Sequence, residues 1–493
     1  MRGEDRLSDL PDHILHHIFS SFATKDLITT TCLLSKKWQH FWVSHPYLDL
    51  HIENYNFADS YSDSNIDDVG SRCSPKFVDK SLYGQGRGGS DLERLRLRWF
   101  ECNEGPRLKS WIVKAMNRKV KEVEIVLGLD GSMFTIPAKV FAKGSSVRAI
   151  KLEACFRILR FLIPHPMLSA PNLRTLELVR MKLPKGDSKK EVAMICPVLE
   201  TLILKDCYYT HLKVLGLSLG KLKKLEIENT GNNRSSCGRD KMAIPSNRLG
   251  VCKLELHTPN LTTFIYKGEL FEYFSFGDLV ALIDVDVSLS IFFISCPKFS
   301  GQLSVFNKWE DSRYKFLKGL NGARNLTLGT VQVCSSKVPN TLHDVLTSYT
   351  NLRKLELRLS PIEDISLSWL ASLLYCCSSL ETLVLHDVKL CQRKEEFVLP
   401  LCPLNHLKYV ALTGLEGHDN ELEFLRFLFN RAVNLDLMVI NGGGLKDSKF
   451  GKADLLNFHE KLMVLSQEFP NVKISFQIRK SNVVRFDSAS ILN

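Results

Sequence analysis

The sequence predicts an α/β protein in three parts: a head of three short helices over residues 1–50, a solenoid of short parallel strands over 75–395 and an α/β cap over 396–480. Two patterns carry this reading. Residues 7–48 place apolar side chains at helical spacing, and beyond them the motif apolar-x-x-apolar-x-apolar recurs nine times. Composition agrees: 44% of the 493 residues are hydrophobic and 24% charged, enough to build a large core and to exclude wholesale disorder.

In the head, Leu10-Pro11 precedes Ile14, Leu15, Ile18, Phe19 and Phe22, which recur on one helical stripe. Pro11 suits a first turn, where its missing N–H costs nothing. Thr24 is placed to cap a second helix carrying Leu27, Ile28, Thr31 and Leu34. Ser35 is placed to cap a third, with Trp38, Phe41 and Trp42. Forty residues bury little surface alone. An exposed Trp38 beside a Leu10/Ile14/Ile18 row therefore suits a helix-packing interface; the competing reading is that these residues form the module's own core.

The elements Leu10-Pro11-Asp12-His13-Ile14-Leu15, Thr24-Lys25-Asp26-Leu27 and Leu34-Ser35-Lys36-Lys37-Trp38 closely resemble an F-box of the plant type. That resemblance implies an F-box over residues 1–50 that binds a Skp-type adaptor, and through it a cullin and an E2 recruiter. It also implies that Leu10, Pro11, Ile14, Ile18, Leu27, Leu34 and Trp38 face the adaptor or support that face. One departure is Phe22-Ala23, which stands where the family carries Leu-Pro before Thr-Lys-Asp.

After a polar stretch, residues 59–74, the repeat motif appears at Leu92/Leu95/Leu97, Val120/Val123/Ile125, Val147/Ile150/Leu152, Leu173/Leu176/Leu178, Leu199/Leu202/Leu204 and Leu222/Leu225/Ile227. Successive starts lie 28, 27, 26, 26 and 23 residues apart. It returns at Leu352/Leu355/Leu357, Leu380/Leu383/Leu385 and Leu407/Val410/Leu412. That period is the leucine-rich-repeat range, and Cys155 and Cys207 occupy the motif position that carries Asn or Cys. No repeat buries its strand face alone, so stacking makes one continuous core. Between residues 230 and 320 the period is irregular: 232–246 reads as a loop, while Leu261/Phe264/Tyr266 and Ile283/Val285/Val287 keep strand character.

Alternate strand residues point outward. At the central outward position stand Arg96, Glu124, Lys151, Glu177, Ile203 and Glu226, alternating in sign over the first four. Lateral register with mutual neutralisation is expected. Arg94, Arg96 and Arg98, with Lys205, Lys354 and Arg358, are the candidate residues for an acidic target; for the arginine row, Glu122 and Glu124 on the next repeat favour a solvated charge ladder instead.

From residue 396 the chain resembles the FBD domain of plant-type F-box/leucine-rich-repeat proteins, on Cys402-Pro403, Leu407-Lys408-Tyr409-Val410, Gly414, Gly417, Glu421-Leu422-Glu423-Phe424-Leu425, Asn430-Arg431-Ala432 and Met438-Val439-Ile440. These residues read as strand, glycine turn, amphipathic helix and strand, expected to close the open end of the solenoid. The pattern departs from Gly442-Gly443-Gly444 onward.

Composition excludes other functions. Lys+Arg exceeds Asp+Glu by 11, giving a pI near 8.9. The first fifty residues carry five basic against six acidic residues, so the excess is spread and no nucleic-acid footprint is expected. The N-terminus lacks a signal-like apolar run, and no stretch approaches the roughly 20 apolar residues of a membrane span. Fourteen cysteines over this length are too dilute for a disulfide scaffold, so a cytoplasmic and/or nuclear chain is expected.

Several motifs mimic chemistry. Gly216-Leu217-Ser218-Leu219-Gly220 matches a nucleophile elbow but lies between leucine-rich strands. Residues 84–89 contain G-x-G-x-x-G with a strand following, where a dinucleotide fold needs a helix. His13 and His17 have i, i+4 spacing without the glutamate of H-E-x-x-H, so a solvated helix face with His16 is expected. Cys376-Cys377 read as a buried thiol pair. No cofactor or metal is expected. By resemblance the chain is a non-catalytic substrate receptor of a Skp–cullin–F-box ubiquitin ligase, its repeats binding an unidentified target protein; the alternative is a leucine-rich scaffold that binds partners outside any ligase.

Overall fold

The computed structural model describes residues 7–31, 34, 38, 41, 42, 44–52, 72–83, 91–102, 104–129, 134–154, 161, 162, 169–184, 189, 191–209, 211–230, 252–271, 273–277, 279–289, 312–331, 345–347, 349–359, 365, 367–377, 379–390, 404–415, 418–442, 452–478 and 484–487. Ser35, Cys155, the G-x-G-x-x-G run, most of the polar stretch after the head and the loop expected at 232–246 lie outside them. Two compact units result: residues 1–259 with 271–278, and residues 260–270 with 279–493.

In the first unit the head folds as α1 (Asp12–Ile18) and α2 (Thr24–Thr31), and Trp38, Phe41, Trp42 and Ser44 are also helical. Leu15, Leu27, Trp38 and Phe41 form its core, with Leu10 and Phe19 packed against them. The chain then enters β1 (Tyr47–Ile52) and climbs through β2 (Arg94–Cys102), β3 (Glu122–Leu129), β4 (Ala149–Ala154), β5 (Thr175–Val179), β6 (Thr201–Lys205) and β7 (Lys224–Asn229). Each pairs in parallel with the next. All six motif copies in this unit fall on these strands with Leu95, Leu97, Ile125, Leu152, Leu176, Leu202 and Leu225 buried.

Backbone hydrogen bonds explain why the repeats need one another. The turn before each strand donates to the carbonyl of the turn below: Arg148 N to Lys121 O (2.7 Å), Arg174 N to Arg148 O (2.8 Å), Glu200 N to Arg174 O (2.8 Å) and Lys223 N to Glu200 O (2.8 Å). A lone repeat would leave these donors and acceptors without protein partners. On the outgoing side, α3 (Pro75–Tyr83) and α4 (Gly105–Asn117) pack together, with Trp111 Nε1 donating to Asp79 Oδ1 at 2.7 Å.

A second parallel sheet was not legible in the repeat motif. Its strands are Glu191–Met194, Val214–Ser218, Lys253–His257 and Tyr273–Phe276, paired in that order. Gly216 and Ser218 therefore lie inside a strand, not on a strand-to-helix turn.

The second unit repeats the plan with β8 (Thr263–Gly268), β9 (Asp284–Leu289), β10 (Asn325–Val331), β11 (Lys354–Leu359), β12 (Thr382–His386), β13 (Tyr409–Leu415), β14 (Leu437–Gly442) and β15 (Lys473–Ile478), all parallel in succession. β16 (Val484–Asp487) pairs antiparallel to β15. Its helices include α5 (Leu367–Tyr375), α6 (Asp419–Arg431) and α7 (Lys452–Gln467), and residues 312–318 are helical as well. Gly414, at φ +90°, and a capping box between His418 and Glu421 turn β13 into α6. The departure expected from Gly443 onward falls on residues 443–451, outside the described residues; beyond them come α7 and two further strands. Ile283, expected to alternate inward with Val285, is exposed; Leu282 takes the buried place.

Among the described residues no helix is long and apolar enough to cross a membrane.

Candidate partner-binding surfaces

The head divides its apolar residues between core and surface. Ile14 (39% exposed), Ile18 (42%) and Leu34 (61%) lie open, with Phe22 and Leu7 also exposed; Pro11 is exposed and Leu10 half-buried. Leu27 is buried, and Trp38, expected at the surface, is only 2% exposed. Trp38 packs edge-on against Phe19, with ring centroids 5.7 Å apart, and its Nε1 donates to Ser8 Oγ at 2.8 Å. A large ring with its N–H satisfied belongs inside a module this small. Leu27 and Trp38 thus belong to the head's core, while Ile14, Ile18 and Leu34 lie on its surface.

The three histidines of α1 also divide. His13 and His17 are exposed as expected. His16 is not part of a solvated face: it stacks on Phe41 at 4.6 Å, its Nδ1 lies 3.0 Å from His45 Nδ1, and burial pushes its pKa down.

Head and first strands are held together by short polar contacts. The Asp49 N–H donates to Thr24 Oγ1 at 2.8 Å, so the hydroxyl that opens α2 reaches β1. The Arg94 guanidinium donates to the Ser20 carbonyl and lies over the Tyr47 ring.

The outward face of β1–β7 is a ladder of ion pairs. Asp49, Arg96, Glu124, Lys151 and Glu177 stand opposite one another in register. Arg96 bonds Asp49 at 2.8 Å and Glu124 at 2.6 Å, and Lys151 lies 3.8 Å from Glu124 and 3.6 Å from Glu177. Burial works against the charge on Arg96, yet the two carboxylates raise its pKa above the ordinary arginine value. Asp49, the first rung, was not foreseen, because it comes from the end of the head. Farther along, Lys205 and Lys224 pair with Glu226 at 2.8 and 3.2 Å; they outweigh burial and hold the Glu226 carboxyl below its usual range. Arg98 Nη1 sits 2.8 Å from His51 Nε2. Arg94, Arg96, Arg98 and Lys205 are thus all engaged within the chain.

The second unit differs. Lys354 and Arg358 both contact Glu356 at 3.2 Å, with His386 Nε2 at 3.3 Å. These cations hold the Glu356 carboxyl low against the effect of burial. Past Glu356 the central row continues as Val384, Ala411, Val439 and Ser475, and the adjacent row as Thr382, Tyr409, Leu437 and Lys473.

Chemistry-bearing clusters are absent among the described residues: no group of three His, Cys, Asp or Glu is placed to hold a metal ion. Burial pushes the Cys207 thiol up to about 12; its sulfur sits 3.4 Å from the Leu178 carbonyl, a packing role at the repeat turn. Cys377 is buried and Cys376 half-buried, with the Cys376 sulfur 3.2 Å from the Ser372 carbonyl.

Comparison with known proteins agrees with this architecture. The family model described as F-box domain matches residues 7–49, that described as At1g61320/AtMIF1, LRR domain matches residues 85–411, and that described as FBD matches residues 398–440. The F-box/FBD/LRR-repeat protein At5g22660 of Arabidopsis thaliana is 24% identical over 88% of this chain and 89% of its own length. The probable FBD-associated F-box protein At1g32375 of the same plant is 24% identical over 96% of this chain and all of its own. F-box/LRR-repeat protein 25, also from that plant, is 30% identical over 49% of this chain and 81% of its own length.

Proposed function

The chain belongs to the F-box/leucine-rich-repeat proteins, and on that premise we propose that it is the target-recognition subunit of a Skp–cullin–F-box ubiquitin ligase. F-box proteins in general act as substrate adaptors. For this chain the supporting observation is that Ile14, Ile18 and Leu34 are exposed on a head whose own core is already filled by Leu15, Leu27, Trp38 and Phe41. Apolar side chains left open over a complete core fit a partner helix. The repeats then present a target protein near the E2, and the gain is proximity, an effective concentration supplied by a common scaffold.

The test is capture of a Skp-type adaptor by the full chain and by the variant Ile14→Glu/Ile18→Glu/Leu34→Glu, with melting temperature as the folding control. Capture by the parent and its loss in a variant that melts normally supports the reading. Equal capture by both would remove Ile14, Ile18 and Leu34 from adaptor binding, and capture by neither would leave a leucine-rich scaffold outside any ligase.

A further inference from the structure

The outward sheet face of the second unit carries a patch unlike any other on the described strands. Parallel register places Val384, Ala411 and Val439 in one row and Tyr409 and Leu437 in the next, all half-buried on the same face of β12–β14. Four charged residues stand around them: Lys354, Glu356 and Arg358 on β11 and Lys473 on β15. Lys354 and Arg358 share the single carboxylate of Glu356, and Lys473 is exposed, so cations outnumber acids on this rim. His386 also faces Glu356, and Tyr409 is the titratable group within the patch itself.

We propose that this face, in the receptor role argued above, docks an extended segment of the target protein in which bulky apolar side chains are flanked by carboxylates. Three strands about 4.8 Å apart make a strip near 10 Å wide, matched by three or four residues of extended peptide. Its apolar side chains cover the Val384–Ala411–Val439 row and the Tyr409 ring, and its carboxylates meet Lys354 and Arg358 on one side and Lys473 on the other. The footprint is small, which fits a short-lived linear-motif contact. Other occupants fit less well. A second copy placed patch on patch brings like cations together. A lipid surface is taken by apolar groups that project into the headgroup boundary, whereas these side chains are half-covered by their neighbours on a sheet. The ladder of β1–β7 offers no equivalent, because Arg96, Lys151 and Lys205 already lie against carboxylates on neighbouring strands and Arg94 and Arg98 are engaged by Ser20 and His51.

The experiment selects from a displayed library of random twelve-residue peptides on the full chain, with subtraction on Val439→Glu, followed by fluorescence anisotropy of the enriched peptides. Enrichment of apolar residues beside Asp or Glu is expected. Binding should fall about tenfold in Val439→Glu and severalfold in Arg358→Glu, rise in Glu356→Gln, and weaken as salt rises. Lys151→Gln on the first unit should leave it unchanged. Each variant is checked for unaltered melting, and Arg358→Glu tests the patch independently of Val439. No enrichment over the subtracted variant, enrichment of basic or uncharged peptides, or equal loss in Lys151→Gln overturns the proposal. So does variant-dependent binding of phosphatidylserine vesicles without peptide binding. Adaptor capture by the same variants separates the two readings: capture without peptide binding removes this site alone, and peptide binding without capture removes the ligase role.

Discussion

The two units build the same inward row and different outward rows. Leu202 and Leu225 in the first and Leu383 and Val410 in the second are equally buried. Outward, Asp49, Arg96, Glu124, Lys151 and Glu177 pair across the strands of the first unit, while Val384, Ala411 and Val439 pass through the second uncharged. Inward positions answer to stacking, which is common to every repeat. Outward positions need only avoid like charges side by side, so they are free to differ between the units. The first unit's charges are spent on one another; the second leaves apolar surface and surplus cations.

The largest effect tests the common part. Leu202→Ala and Leu383→Ala should each cost about 2–5 kcal/mol in urea unfolding, because both remove a side chain with 0% exposure and leave a cavity. A loss below about 1 kcal/mol at either would show that one unit's strands are not stacked as the other's are.

The outward rows should then part company. Arg96→Ala leaves Asp49 and Glu124 facing each other without their shared cation, at a cost of about 1–3 kcal/mol. Val439→Ala removes two methyl groups from a half-buried position and should cost less than about 1 kcal/mol. Equal losses would mean that the ladder contributes packing and little electrostatics. Replacing Asp49 and Glu124 by their amides together with Arg96→Gln should recover part of the loss.

Acid sharpens the comparison further. Glu226 and Glu356 are both held below the ordinary carboxylate range, so each contributes stability that is present above about pH 4.5 and is lost as pH falls through the lowered folded value. Urea midpoints should therefore decline below that pH, and Glu226→Gln and Glu356→Gln should each flatten part of the decline, by under about 1 kcal/mol for such half-exposed pairs. A steeper decline in either variant would contradict the pairing.

Much of this was legible in the chain, and the failures have physical causes. The nine motif copies all became strands, and the Arg96–Glu124 register followed from their spacing, since stacking fixes both. β10 escaped because Ala323, smaller than the leucine or valine that opens each of the nine copies, stands at the motif's first position. The second sheet of the first unit escaped because its strands fall between motif copies and carry no period of their own. Asp49 was read as part of the head, yet its partner Arg96 is 47 residues away, a pairing no local pattern shows. Trp38 and His16 were assigned outward from helical spacing alone, which cannot tell which of two apolar stripes a small module keeps for itself. The apolar patch of the second unit was missed for a related reason: Val384, Ala411 and Val439 are unremarkable until three strands place them side by side.

The smallest effect concerns a device the two units share. Asp206 and Asp387 directly follow β6 and β12, at φ +49° and +56°. In this left-handed region the Cβ of an L-residue crowds the following carbonyl, at a cost of roughly 1–2 kcal/mol that a short polar side chain lessens. The turn is needed because it aims the next N–H groups at the neighbouring repeat: Asp206 N donates to Glu228 O at 2.6 Å, and Asp387 N to Thr413 Oγ1 at 3.2 Å. Glycine relieves the crowding but adds freedom to the unfolded chain, so Asp206→Gly and Asp387→Gly should stay within about 0.5 kcal/mol of the parent. Valine keeps the Cβ and adds a branch, so Asp206→Val and Asp387→Val should lose about 1–2 kcal/mol in urea unfolding. Matching effects in the two units would make this corner a property of the repeat. A loss beyond about 1 kcal/mol in Asp206→Gly alone would show that its carboxylate, rather than its backbone, is what the first unit requires there.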